Sequence, residues 1–165
     1  MEGKTLFDDF PISIPIDQSA SHCYLKSNEM FAVIGDGRIE HRDVYCVLEN
    51  PRVTIYRGQP DHELMQNFDH AISPVYQVDG KGPPVVPTGS VLVRIAESSH
   101  IEEFREELDS AGYQLDSALA YAPHAGWAIA KTGKLLDAIT SLENLRKNEG
   151  VVHCELQMVQ PSEKK

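Results

Sequence analysis

Seven histidines and three cysteines are the side chains of this chain best suited to chemistry. Four of the histidines and two of the cysteines fall in the nearest clusters: His22 beside Cys23, His62 with His70, and the run His153-Cys154-Glu155. A tetrahedral metal centre needs ligands spaced so that two reach one ion, as in Cys-x-x-Cys or His-x-x-x-His, and none of the three has that spacing. On a strand, His153 and Cys154 project to opposite faces and do not chelate together. Phosphate chemistry fits no better. Residues 97–100 read Glu-Ser-Ser-His, where Glu97 repels a phosphate, and Gly35-Asp36-Gly37-Arg38 has the form of a hairpin turn rather than a nucleotide loop. No catalytic residue, metal or cofactor is therefore assigned, and the expectation is a protein that is not an enzyme. Cys23, Cys46 and Cys154 are odd in number and far apart, which argues for free thiols rather than a disulfide framework.

The elements that must position any site fall on either side of residues 79–89, Asp-Gly-Lys-Gly-Pro-Pro-Val-Val-Pro-Thr-Gly. This concentration of Gly and Pro reads as a linker. Residues 1–78 hold short β-type runs at 10–16, 23–26, 30–34, 44–48 and 53–56, separated by Gly35-Asp36-Gly37 and Glu49-Asn50-Pro51. They form a small β-rich region, with a weak helical pattern over 64–72 behind Asp61.

Residues 90–165 are more strongly punctuated. A strand over 90–96 leads to Ser98 or Ser99 as N-cap, with Glu102 and Glu103 at the positive end of a helix dipole. Ile101, Phe104, Leu108 and Ala111 share a helical face, and Gly112 stops the helix. Residues 113–121 and 127–130 read as two strands around a hairpin-like break at Pro123-His124-Ala125-Gly126. Leu135, Leu136, Ile139, Leu142 and Leu145 line a second helix, and residues 151–156 close as a strand. The order is βαββαβ. The expected fold is α+β: a ferredoxin-like antiparallel sheet with two helices, preceded by a small mainly-β region.

A net charge of -10, from 25 acidic against 15 basic residues, disfavours attraction to nucleic acid or anionic lipid. No apolar run approaches the roughly 18 residues that span a bilayer, and Met1-Glu2-Gly3-Lys4 lacks the form of a secretory signal. The expected partners are proteins, and the expected location is the cytoplasm.

Four segments taken together carry a resemblance to a known family. They are Val91-Leu92-Val93-Arg94-Ile95, the acidic helix ending in Ala111-Gly112-Tyr113, the turn Tyr121-Ala122-Pro123-His124-Ala125-Gly126-Trp127, and the closing Glu149-Gly150-Val151-Val152-His153-Cys154-Glu155-Leu156. Residues 90–160 resemble the inhibitor-type propeptides of subtilisin-like serine proteases. The resemblance implies an open sheet face that packs on two surface helices of the protease, and a carboxylate after the last strand, here Glu155, that caps a helix N-terminus. It further implies a C-terminal tail, here Met158, Val159, Gln160, Pro161, Ser162 and Glu163, laid in the substrate cleft by strand addition. Trp127 is an additional candidate anchor, because aromatic residues are favoured at binding hot spots. No Gly-Thr-Ser-Met-Ala-like nucleophile segment is present, so the chain is not itself the protease. The expected function is inhibition of a subtilisin-like protease in trans, with folding-chaperone activity as its companion. The alternative is a non-catalytic interaction adaptor or homodimerisation unit, with one sheet face buried between copies.

Overall fold

The computed structural model describes residues 7–16, 22–35, 43–49, 52–60 and 72–160. They divide into two compact units. The first holds the described residues of 7–14, 22–87 and 158–160, and the second holds 15–16 and 88–157.

β1 (Ser13–Pro15) pairs with β2 (Cys23–Ile34), and in the first unit β2, β3 (Val44–Leu48), β4 (Val53–Arg57), β5 (Ile72–Val78) and the start of β6 (Pro84–Ile95) make an antiparallel sheet. Its order is β3-β4-β2-β5-β6, with β1 on β2. The run Met30-Phe31-Ala32-Val33 is buried throughout, because this stretch of β2 has a core on each face. Ala32, Ile55, Val75, Val86 and Val159 pack on one side; Phe31, Val33, Tyr56 and Phe7 pack on the other. The rings of Phe31 and Tyr56, which are register partners, stack with centroids 5.4 Å apart. Ser27, Asn28, Glu29 and Met30 form a bulge against β5, with Glu29 N–H donating to Ser27 Oγ at 3.1 Å. Two strands expected at 23–26 and 30–34 are thus one bulged strand.

The second unit contains the rest of β6, β7 (Tyr113–Leu119), β8 (Ala122–Ala130) and most of β9 (Val151–Val159). β8 lies between β6 and β7, and β9 pairs with β6. A 3-10 turn (Ile101–Phe104) leads into α1 (Arg105–Ala111), while α2 (Leu135–Thr140) and α3 (Leu142–Arg146) are separated at Ser141. The helices are short, and none has a side-chain cap at its start. His100, Phe104, Lys134 and Ser141 stand at the four N-cap positions and none makes a capping hydrogen bond. Gly112 ends α1 as expected, in the left-handed conformation at φ 101°.

The ferredoxin-like βαββαβ expectation, with two helices and a small β region in front, is corrected by this structure. The described residues are mostly antiparallel sheet, with nine strands that hold about 53% of them. Its helical segments run for only 7, 6 and 5 residues. The sequence pattern misleads in three ways. The apolar stripe over 101–111 extends beyond the α-helical hydrogen bonding, Ser141 interrupts the second stripe, and strand-forming residues continue on both sides of the assumed boundaries. Residues 79–89 hold the division between the two units, between Pro87 and Thr88, but as turn and strand rather than loose chain. Asp79–Gly82 is a hairpin turn, with Gly82 N–H donating to Val78 O at 3.2 Å, and Pro84 and Val85 already pair with Gln77 and Tyr76. The break expected at Pro123-His124-Ala125-Gly126 lies inside β8, and the chain reverses at Ala120 and Tyr121 instead. The weak helix over 64–72 falls outside the described residues except for Ile72, which opens β5.

Candidate functional site

The sheet of the second unit has one covered face and one open face, and the register assigns residues to each. Tyr113 donates its hydroxyl proton to Ala138 O in α2, so Tyr113 and its register partner Ala130 face the helices. Ala128, Val91 and Val93 follow on that side by the two-residue period, and all three are fully buried. The intervening residues define the other face. Leu92 pairs with Trp127, and Ile129 lies between Ser90 and Gln114; all three apolar side chains are only partly buried. Partial exposure of a Trp, a Leu and an Ile on adjacent strands concentrates apolar surface at the centre of a sheet.

β9 adds charge to this face. Cys154 is buried beside Arg146 of α3, which puts Cys154 on the helix side. Burial raises the Cys154 thiol pKa, an effect the Arg146 charge opposes. His153 and Glu155 therefore project to the open side, with Nε2 and Oε2 3.4 Å apart and side chains 32% and 47% exposed. Gln157 Oε1 is 2.8 Å from the Thr88 hydroxyl, which donates to it. Arg146 Nη2 donates to Pro15 O at 3.1 Å, and its Nε is buried with no hydrogen-bond partner.

Glu155 and Trp127 thus share a surface that extended sequence patterning alone leaves unresolved. The tail residues are divided. Met158 and Val159 belong to β9, Met158 is half-buried, and Val159 is 8% exposed within the core of the first unit, against Met30, Val75 and Val86. They are structural residues rather than the start of a free tail. Gln160 is exposed beyond the strand, while Pro161, Ser162 and Glu163 lie outside the described residues. Leu92 and Ile129 are missing from the expected site, although their signal is present. Buried Val91, Val93 and Ile95 alternate with them through β6, and the same alternation through β8 places Ile129 with Trp127.

The other titratable clusters do not converge on reactive geometry. His22 Nδ1 donates to Asp79 Oδ2 at 2.8 Å, since a carboxylate only accepts. Asp79 also accepts from Cys23 N–H at 3.3 Å. These hydrogen bonds, His22 first, hold the Asp79 carboxyl below its ordinary range. His62 and His70 are outside the described residues. Among the described residues no three metal-ligating side chains come together, the cysteines are free, and no helix is long and apolar enough to cross a membrane. Compared with protein-family models, curated proteins and solved structures, the chain shows no match.

Proposed function

We propose that this chain is a non-catalytic protein-binding module that docks on a subtilisin-like serine protease through the open sheet face of its second unit, as a propeptide-like inhibitor. The observation that supports this reading is the Leu92–Trp127 cross-strand pair, flanked by Ile129 and left partly exposed opposite the helix-covered face. An apolar centre with an aromatic anchor and a polar rim is the anatomy of a protein interface. Glu155 supplies a carboxylate on the same face, suited to the N–H groups at the start of a partner helix. Residues from Gln160 onward are the part of the tail that enters the cleft, because Val159 is committed to the core.

The test is the progress curve of a subtilisin cleaving a chromogenic peptide in the presence of the full chain. Slow, tight inhibition is expected, weakened at least tenfold by Trp127→Ala, on the usual scale of an aromatic hot spot. Glu155→Gln is expected to weaken it less, and deletion from Gln160 to convert slow inhibition into simple binding. Circular dichroism and urea midpoints report that each variant retains its fold. Digestion of the chain as an ordinary substrate, or a homodimer that occludes Trp127 and binds no protease, would overturn the inhibitor reading. The homodimer result would establish the adaptor reading in its place.

A further inference from the structure

We infer a second, independent interaction site on the outer edge of β3 in the first unit: a docking edge for an extended peptide that is apolar at its centre and carries a basic residue at one end. β3 is the terminal strand of its sheet, paired with β4 on one side, and no described strand pairs with its other side. Such an edge presents a row of backbone donors and acceptors that an extended chain satisfies. Natural edge strands usually carry a lysine, a proline or a covering segment against unwanted pairing. β3 reads Val44-Tyr45-Cys46-Val47-Leu48, with no charge, proline or glycine; its one edge irregularity is a register shift against β4 between Val44 and Cys46, which leaves Cys46-Val47-Leu48 regular. Val44, Tyr45 and Val47 are 44%, 45% and 43% exposed.

The strand is also held ready. Leu48 is buried in the core with Val53, its register partner, and Cys46 packs on the same cluster. Arg57 of β4 places its guanidinium 5.2 Å from the centroid of the Tyr45 ring and pairs with Asp43 at 3.0 Å. Arg57 N–H donates to Asp43 O at 2.8 Å, which anchors the start of β3. Tyr45 is thereby a supported platform on which an apolar ligand side chain can pack.

Charge decides the occupant. Asp43 is compensated by Arg57, whereas Glu49 is exposed at the other end of β3 and forms no ion pair among the described residues. A ligand with a basic residue opposite Glu49 gains an attraction there. A second copy of the chain loses by the same arithmetic. The antiparallel register that pairs all five residues of β3 with themselves sets Asp43 opposite Glu49 at both ends, in two chains that each carry -10.

The test uses two synthetic peptides on the full chain at low salt, each a five-residue alternation of valine and threonine, one with lysine and one with glutamate at the end opposite Glu49. Binding is read by calorimetry and by amide shifts of 44–48. The lysine peptide is expected to bind roughly three- to fivefold tighter, the size of one exposed charge pair. Glu49→Lys should reverse that preference, and Val44→Lys with Val47→Lys should abolish binding of both peptides while leaving the circular dichroism unchanged. Trp127→Ala should leave peptide binding intact, which separates this site from the protease-docking face. Absence of binding, no reversal in Glu49→Lys, or a wild-type dimer through β3 would each overturn the assignment.

Discussion

At the scale of single residues, the tightest constraint lies at Gly126. A Cβ there would stand 2.7 Å from Ser117 O and 3.2 Å from the Ala118 Cα, both backbone atoms of β7 at the register shifts of the β7–β8 pair. Backbone cannot yield as a side chain does, so Gly126→Ala is expected to cost about 1–3 kcal/mol, as overpacking does. Gly82→Ala is the control, since its Cβ would meet nothing closer than 3.5 Å. Urea midpoints of the two variants check the contrast. Asp79 offers a pH test. Its carboxyl lies below the ordinary range because His22 and Cys23 N–H favour the anion. A depressed carboxyl stabilises the fold above its unfolded pKa of about 3.9, and the contribution disappears as pH falls through the folded value. Asn tolerates the left-handed backbone that Asp79 adopts at φ 52°, so Asp79→Asn isolates the charge. Wild type is expected to exceed Asp79→Asn in urea midpoint at pH 6, with the gap closing at pH 3. A gap that widened on acidification would mean the pair does not stabilise the fold.

Elements show which residues belong to the fold and which are free to bind. Val159→Ala should destabilise by about 2 kcal/mol, read as a lowered urea midpoint, because it leaves a cavity in a packed cluster. An inhibition assay on a chain truncated at Met158 would therefore confuse loss of fold with loss of cleft contact. The first helical turn offers the opposite test. His100 has extended N-cap geometry, φ -108° and ψ 133°, without a side-chain cap. His100→Ser creates Ser-x-x-Glu with Glu103, a capping box, and should stabilise by about 1 kcal/mol, read as a raised thermal midpoint. These cases explain what the sequence could convey. Strands β3, β4 and β7 and the glycine stop after α1 were legible because each is set by local periodicity and punctuation. The continuation of β6 back through Pro84, and of β9 forward to Val159, was not, because those residues are extended by pairing and burial with distant partners. β5 was missed for the same reason. Its Pro74 reads as a breaker, yet it lies against Phe31 where the β2 bulge has shifted the register. Of the candidate face, Trp127 and Glu155 were legible by type, while Leu92 and Ile129 follow from the two-residue alternation of β6 and β8 once a buried face is fixed.

Over the whole molecule the governing quantity is the charge of -10. The exposed pairs Arg57–Asp43 and Lys131–Asp109 have side chains 45–68% accessible, and pairs of that kind stabilise little. Ten uncompensated carboxylates, by contrast, repel one another in the compact state more than in the unfolded chain. Raising salt from about 10 mM to about 150 mM shortens the Debye length from about 30 Å to about 8 Å, which screens the long-range repulsion first. The thermal midpoint at pH 7 should therefore rise with salt, and solubility should pass through a minimum near the pI of 5.1. A midpoint that fell with salt would show that local attractions outweigh the net charge. The same field bears on docking. If the chain docks on a protease as proposed and that protease presents a basic surface to Glu155, the association rate should fall as salt rises while the dissociation rate changes little. Stopped-flow mixing across a salt series separates the two. An association rate that rose with salt would identify an acidic partner surface, and would leave the apolar pair alone to carry recognition.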